Sequence, residues 1–242
     1  MIGTKTDQSS IITGDNSNEQ KVVLIDADSL MYFSSYGSEE DQILSESKLS
    51  EKIYDILNII SESYNIEKYY IFVKGQDNFR YKIYPDYKKN RPEKHPIIDS
   101  LNLFLIDQFG AIQSHNAESD DYVYSYSQKP EYKGRCIICS VDKDMLQIPG
   151  IHYDYQKNKY HIIDEDEATY KLAIQMLMGD AADNIKGLKG CGIKRAEKII
   201  KMGMTPYQCL RAIYKEYRSK NPLPKDEIRL NYKLLKLQEV NI

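Results

Sequence analysis

Apolar residues fall along the chain in two rhythms. Residues 22–25 (VVLI) form an unbroken apolar run, too short for a helix and typical of a strand buried on both faces. Residues 69–73 predict a second strand, 111–113 a third and 136–141 a fourth. Between them the period turns helical: Leu49, Ile53, Ile56, Leu57 and Ile60 share one face over residues 47–64, and Ile97–Phe109 reads as another helix. Strands separated by helices imply a parallel sheet with crossover helices. Residues 151–155 and 160–163 flank 156–159 as a small hairpin. From Glu165 onward the pattern is helical, a module on the edge of the α/β core.

Composition narrows the picture. With 242 residues, 41% of them hydrophobic, the chain can bury a full core as one large domain or a domain plus a small module. No apolar run approaches the roughly 20 residues that span a bilayer, so no membrane partner is expected. Residues 1–20 are polar, lack the apolar stretch of a signal peptide, and are expected to be a disordered extension. Cys136, Cys139, Cys191 and Cys209 form no paired framework, which fits a reduced, cytoplasmic setting. No second Cys/His pair stands at zinc-ligand spacing. The net charge of −3 excludes a simple polyanion sponge, but the charge is segregated. Six Lys/Arg against two acids lie between Arg80 and His95, and six against one between Lys186 and Lys201.

The acids gather where a parallel sheet puts its ligands, at the carboxyl ends of strands. Asp26 ends the first strand, and Asp142 and Asp144 follow the fourth. Glu118, Asp120 and Asp121 follow the short third strand, and Asp180 and Asp183 stand three apart in MGDAADNIKG. Taken singly, each group also reads as a helix cap or a solvated loop acid. Taken together, eight carboxylates at one sheet end would repel one another unless cations neutralise them. Hard oxygen donors of this kind select Mg²⁺ or Mn²⁺. Two such ions about 4 Å apart can activate a water and stabilise a leaving oxygen in phosphodiester hydrolysis.

Two basic segments suit a nucleic-acid partner. In GLKGCGIKRAEKII, Gly187, Gly190 and Gly192 precede a cationic helix, so backbone N–H groups could meet a phosphate backbone, with Lys194 and Arg195 adding charge. The same pattern also suits a structural helix–turn–helix. RYKIYPDYKKNRPEK interleaves Tyr81, Tyr84 and Tyr87 with Arg80, Lys88, Lys89 and Arg91, a mixture that holds phosphates and stacks on unpaired bases, or a plain basic loop.

In order, VLIDADSL, FRYKIYPDYKKNRP, AESDDYVYS, SVDKDMLQI, GDAADNIKGLKGCGIKRAEKII and NYKLLKL make the chain from Lys21 onward resemble the flap endonuclease/5′–3′ exonuclease family. That family includes phage 5′ nucleases and the N-terminal nuclease domain of bacterial DNA polymerase I. The resemblance implies a PIN-like α/β core over residues 21–164, with an arch or clamp near 80–100. Residues 165–242 would then be a helix–three-turn–helix module and closing helices. It implies that Asp26, Glu118, Asp120 and Asp142 surround one metal, that Asp144, Asp180 and Asp183 serve a second, and that Asp121 is a nearby ligand or support. Lys88 and Arg91 would contact the scissile phosphate, Tyr87 would stack on the terminal nucleotide, and residues 187–193 would hold the duplex with a bound K⁺. The expected substrate is branched or nicked DNA with a 5′ single-stranded end, RNA–DNA hybrid included. The expected enzyme is monomeric, works with replication partners, and acts in a host cytoplasm if phage-encoded.

One departure stands out. The family carries an aspartate at the end of its second strand, six residues before FR, and here that register holds Val73. Asp77 could stand in only if its loop folded back to the metals. Val73 therefore leaves a competing reading, a catalytically weakened branched-DNA binding protein. A PIN-type ribonuclease without flap specificity leaves residues 187–193 unexplained.

Overall fold

The computed structural model describes residues 19–242, so the expected extension over 1–20 lies, but for its last two residues, outside the described residues. Six strands form one sheet: β1 (Lys21–Asp26), β2 (Ile66–Val73), β3 (Ile112–Gln113), β4 (Cys136–Cys139), β5 (Gly150–Asp154) and β6 (Lys159–Ile163). Their order is β3-β2-β1-β4-β5-β6, and every pairing is parallel except that of β5 with β6. The chain leaves β1 toward β2 and later returns to its other side as β4. The crevice between the carboxyl ends of β1 and β4 is thus a topological switch point, the favoured ligand position in open α/β sheets.

The helices in chain order are α1 (Asp28–Ser35), α2 (Gln42–Ser63), α3 (Phe79–Ile83), α4 (Ile97–Phe109), α5 (Ser119–Gln128), α6 (Glu165–Met178), α7 (Ile193–Ile199), α8 (Pro206–Arg218) and α9 (Lys225–Leu235). Strand periodicity divides β1 between two cores. Val23 and Ile25 pack with Leu49, Ile53, Ile56 and Leu101 from α2 and α4, while Val22 and Leu24 pack with Val123, Ile138 and Met145. Both faces are sealed, which explains the unbroken apolar run. A third core joins Ile174, Leu177, Ala196, Ile213 and Leu234 of the C-terminal helices and also takes in Tyr87.

Several elements differ from the sequence expectation: β2 begins at Ile66 instead of 69, and β4 ends at Cys139 instead of 141. Helix α2 begins five residues earlier than 47, at Gln42, because the Asp41 carboxylate accepts the Leu44 N–H at 2.9 Å and caps it. Helix α1 was not anticipated: it opens at Asp28, two residues after the strand-ending acid. At the other end of the chain, a two-stranded ladder of β7 (Gly179–Asp180) and β8 (Ile185–Lys186) pins the loop carrying Asp180 and Asp183. It needs glycine at two places. Gly179 has φ +71°, and a Cβ there would meet the Ile185 carbonyl oxygen at 2.3 Å; one on Gly187 would meet the Met178 carbonyl carbon at 2.1 Å.

Candidate active site

The sheet end assembles the acids from separate segments. Asp26 closes β1, and its Oδ2 accepts the Ser140 hydroxyl, donated from the end of β4, at 2.9 Å. The same Ser140 Oγ accepts the Asp142 N–H at 3.0 Å, so one serine ties both acids to the switch point. Asp142 caps a short 3₁₀ turn by accepting the Asp144 N–H at 2.8 Å, and Asp144 accepts Gln175 Nε2 from α6 at 2.7 Å. Glu118 and Asp120 sit at the start of α5. Asp26, Asp28, Glu118, Asp120 and Asp142 line one cleft of about 700 Å³, which Lys74, Lys88 and Arg91 also line.

Asp180 and Asp183 approach from the C-terminal side. Asp180 accepts the Ala182 N–H at 2.9 Å and pairs with Lys143 at 2.8 Å. The Tyr87 hydroxyl lies 2.7 Å from Glu118 and 3.0 Å from Asp183 and links the sheet side to the C-terminal side. Lys88 donates to Glu118 and lies 3.8 Å from Asp183; Arg91 donates to Asp183. Lys88 is held with φ +58°, a left-handed conformation unusual for a residue with a Cβ, and its N–H donates to the Asp183 carbonyl at 3.0 Å.

Charge balance differs within the cluster. Burial, then the charges of Asp28 and Asp142, push the Asp26 carboxyl up to about 8 against the Ser140 hydrogen bond. Burial and Asp142 likewise raise Asp144 to about 7. Burial raises Asp28, and burial with Asp121 and Glu118 raises Asp120 well above the usual carboxylate range. Glu118 goes the other way: burial opposes its charge, but Lys88 and Arg80 outweigh it and lower its pKa. For Asp180 burial is likewise outweighed, by Lys143 and backbone N–H groups. Among the described residues, no three His, Cys, Asp or Glu side chains are gathered as a ready metal cage. The cleft nonetheless gathers five carboxylates, Asp26, Asp28, Glu118, Asp120 and Asp142, and of these only Glu118 has a basic side chain within ion-pair distance among the described residues, a hard-oxygen donor set that fits a divalent cation.

Several expected roles change on inspection. Arg80, expected at nucleic acid, is only 1% exposed; its guanidinium makes a bidentate pair with Asp121 at 2.5 and 2.9 Å and donates to the Leu234 carbonyl. Asp121, expected at a metal, is fully buried and also accepts the Glu118 and Gln238 N–H groups, so it braces α5 from within. Tyr87 is 2% exposed and engaged with the acids, so its ring offers no face for stacking. Lys89 pairs with Asp86 at the surface. Gly187 packs backbone to backbone on Met178, whereas Gly190 and Gly192 face open space before α7. Lys194 is exposed, and Arg195 pairs with Glu216 at 2.9 Å.

The Val73 position also resolves. Its side chain is fully buried in the core beneath α1, α2 and α4, and the residue that reaches the cleft from this strand end is Lys74. Asp77 accepts the Asn116 N–H at 2.7 Å and does not line the cleft. Asp28 does, and sequence reasoning missed it; the signal was the two-residue spacing of Asp26-Ala27-Asp28 at a strand end.

Comparison with known proteins bears on the fold and the family. The family model for the 5′-3′ exonuclease, N-terminal resolvase-like domain, matches residues 21–173. A 5′-3′ exonuclease of Buchnera aphidicola subsp. Schizaphis graminum is 29% identical over 226 residues, covering 85% of this chain and 77% of that protein. Flap endonuclease Xni of Colwellia psychrerythraea is 25% identical, covering 83% of this chain and 78% of its own. In fold, the chain is similar to the bacteriophage T5 D15 flap endonuclease, solved as a pseudo-enzyme–product complex with DNA and metal ions. That likeness has a TM-score of 0.62 at 16% identity and covers 89% of each chain. Since the family model spans well over half of the sequence, this chain belongs to the 5′–3′ exonuclease/flap endonuclease family and is a phosphodiester-cleaving nuclease.

Proposed function

We propose that the cleft cuts DNA at 5′ flaps, nicks or RNA primers with two divalent cations, Mg²⁺ or Mn²⁺. The observation that carries this reading is the meeting of Asp26, Glu118, Asp120 and Asp142 in one cleft that Lys88 and Arg91 also line. In this reading those four carboxylates hold the first ion, and Asp144, Asp180 and Asp183 hold the second. Cations bound there would supply an activated water and charge for the leaving oxygen. Lys88 and Arg91 would grip the scissile phosphate and oppose the negative charge that grows on it. Both are already aimed at anions, namely Glu118 and Asp183, and a phosphate would take over as their partner.

The separate apolar core of α6–α9 supports the division into a nuclease core over 21–164 and a helical DNA-gripping unit over 165–242. In that unit Gly190 and Gly192 face open space in the turn over 187–193 and Lys194 is exposed just beyond it; a K⁺ would sit in that turn against the duplex. A monomer in the cytoplasm, serving replication, completes the reading. No helix among the described residues is long and apolar enough to cross a membrane. The rival reading, a weakened DNA binder, rested on Val73 and loses that support because Asp28 adds a carboxylate to the cleft.

The test is cleavage of a 5′-flap duplex with and without Mg²⁺, beside Asp142→Asn. Mg²⁺-dependent release of short products, reduced roughly 1,000-fold in the variant, is the expected result. Tight binding without cleavage would defeat the proposal.

A further inference from the structure

We propose that Asp28 is a ligand of the first cation, taking the place of the carboxylate that the end of β2 lacks. The inference rests on the two-cation reading above. Asp28 lines the cleft beside Asp26, and its own N–H donates to Asp26 Oδ1 at 3.3 Å, so the two carboxylates share one turn of backbone. Each Asp28 oxygen is fixed by one donor: Oδ1 accepts the Lys74 N–H at 3.0 Å and Oδ2 accepts the Ser119 hydroxyl at 3.0 Å. A carboxylate oxygen has two lone-pair positions, so one remains free on each for a cation. Such outer donors are what orient a metal-binding carboxylate. Here they come from the residue after β2 and from the first residue of α5, the helix that also carries Asp120.

Charge points the same way. Among the described residues, neither Asp26 nor Asp28 makes an ion pair with any Lys, Arg or His, although both stand within the cleft. The nearby Lys74 contributes its backbone N–H to Asp28 without pairing its ammonium within 4 Å. Two adjacent carboxylates without an ion-pair partner repel each other when ionised, and a cation bound between them relieves that repulsion. Asp77, the alternative in sequence, is spent on the Asn116 N–H and a 3.2 Å contact with His115.

The experiment is calorimetric titration of full-length protein with Mn²⁺ alone, without DNA, for wild type, Asp28→Asn, Asp77→Asn and Asp142→Asn. Asp28→Asn keeps side-chain size and an oxygen for the Lys74 N–H, and circular dichroism confirms that each variant is folded. Asp28→Asn is expected to weaken the tighter Mn²⁺ site by roughly 10–100-fold, with Asp77→Asn unchanged. Loss of affinity in Asp142→Asn but not in Asp28→Asn would overturn this inference and leave the two-cation reading standing. Unchanged affinity in both would overturn that reading itself. An effect of Asp77→Asn equal to that of Asp28→Asn would also overturn the assignment.

Discussion

The acids in and around the cleft fall into two sets that the fold treats in opposite ways. Asp26, Asp28, Asp120, Asp142 and Asp144, at or beside the ends of β1, β4 and the start of α5, have no basic side chain within ion-pair distance among the described residues. Glu118, Asp121, Asp180 and Asp183 do: Lys88 and Arg80 reach Glu118, Arg80 reaches Asp121, Lys143 reaches Asp180, and Arg91 and Lys88 reach Asp183. The first set is held by hydrogen bonds from Ser140, Ser119, Gln175 and backbone N–H groups, which orient charge without cancelling it. Orientation without neutralisation is what a metal site needs before the metal arrives. The second set is neutralised by the protein itself. Within it, Arg80–Asp121 is sealed inside, whereas the Arg91 side chain is 49% exposed. Because its arginine is half exposed, the Arg91–Asp183 pair lets Arg91 turn to a phosphate far more readily than the sealed Arg80–Asp121 pair could.

The largest effect should come from the sealed pair. Arg80→Ala leaves Asp121 buried and unpaired, and is expected to lower unfolding free energy by about 3–5 kcal/mol in urea denaturation. A loss of under 1 kcal/mol would mean that Asp121 is not dependent on Arg80. Next, Lys88→Ala should slow single-turnover cleavage of a flap substrate by roughly 100-fold, about 2.7 kcal/mol, with flap affinity little altered. An equal loss of affinity and rate would make Lys88 a binding group only.

A smaller effect separates the two sets by pH in chelator. Asp26 and Asp144 have folded pKa values raised to about 8 and about 7, above their unfolded values, so the stability they contribute is full at low pH and lost as pH rises through 7 to 8. Glu118 and Asp180 are lowered, so their contribution is present above the ordinary carboxylate range and lost as pH falls through their folded values. Melting temperature without metal should therefore decline on both sides of mildly acidic pH. A melting temperature still climbing from pH 6 to 8 would contradict the unpaired set.

Much of this frame was legible in the sequence. Continuous apolar runs located β1, β2 and β4, the switch-point rule placed Asp26 and Asp142 together, and the motifs carried the family. What escaped has physical causes. Basic and aromatic residues alternate across Arg80–Arg91, but composition does not say which of them turn inward, and Arg80 and Tyr87 did because anions lay beneath them. Alternation along β2 explains where Val73 points. Phe72 pairs with Asp26 and packs on one face, so Val73 must face the opposite core, and the next cleft-facing position is Lys74. Asp28 was hidden because a helix beginning straight after a strand leaves no turn signature between them.

The claim that one set of acids stands uncompensated is tested most directly by the melting temperature of Asp26→Asn, in chelator and in Mn²⁺. Removing an unpaired buried charge should make the variant more stable than wild type in chelator at pH 8, and less stabilised than wild type by Mn²⁺. A variant less stable than wild type in chelator, yet equally stabilised by Mn²⁺, would contradict the account.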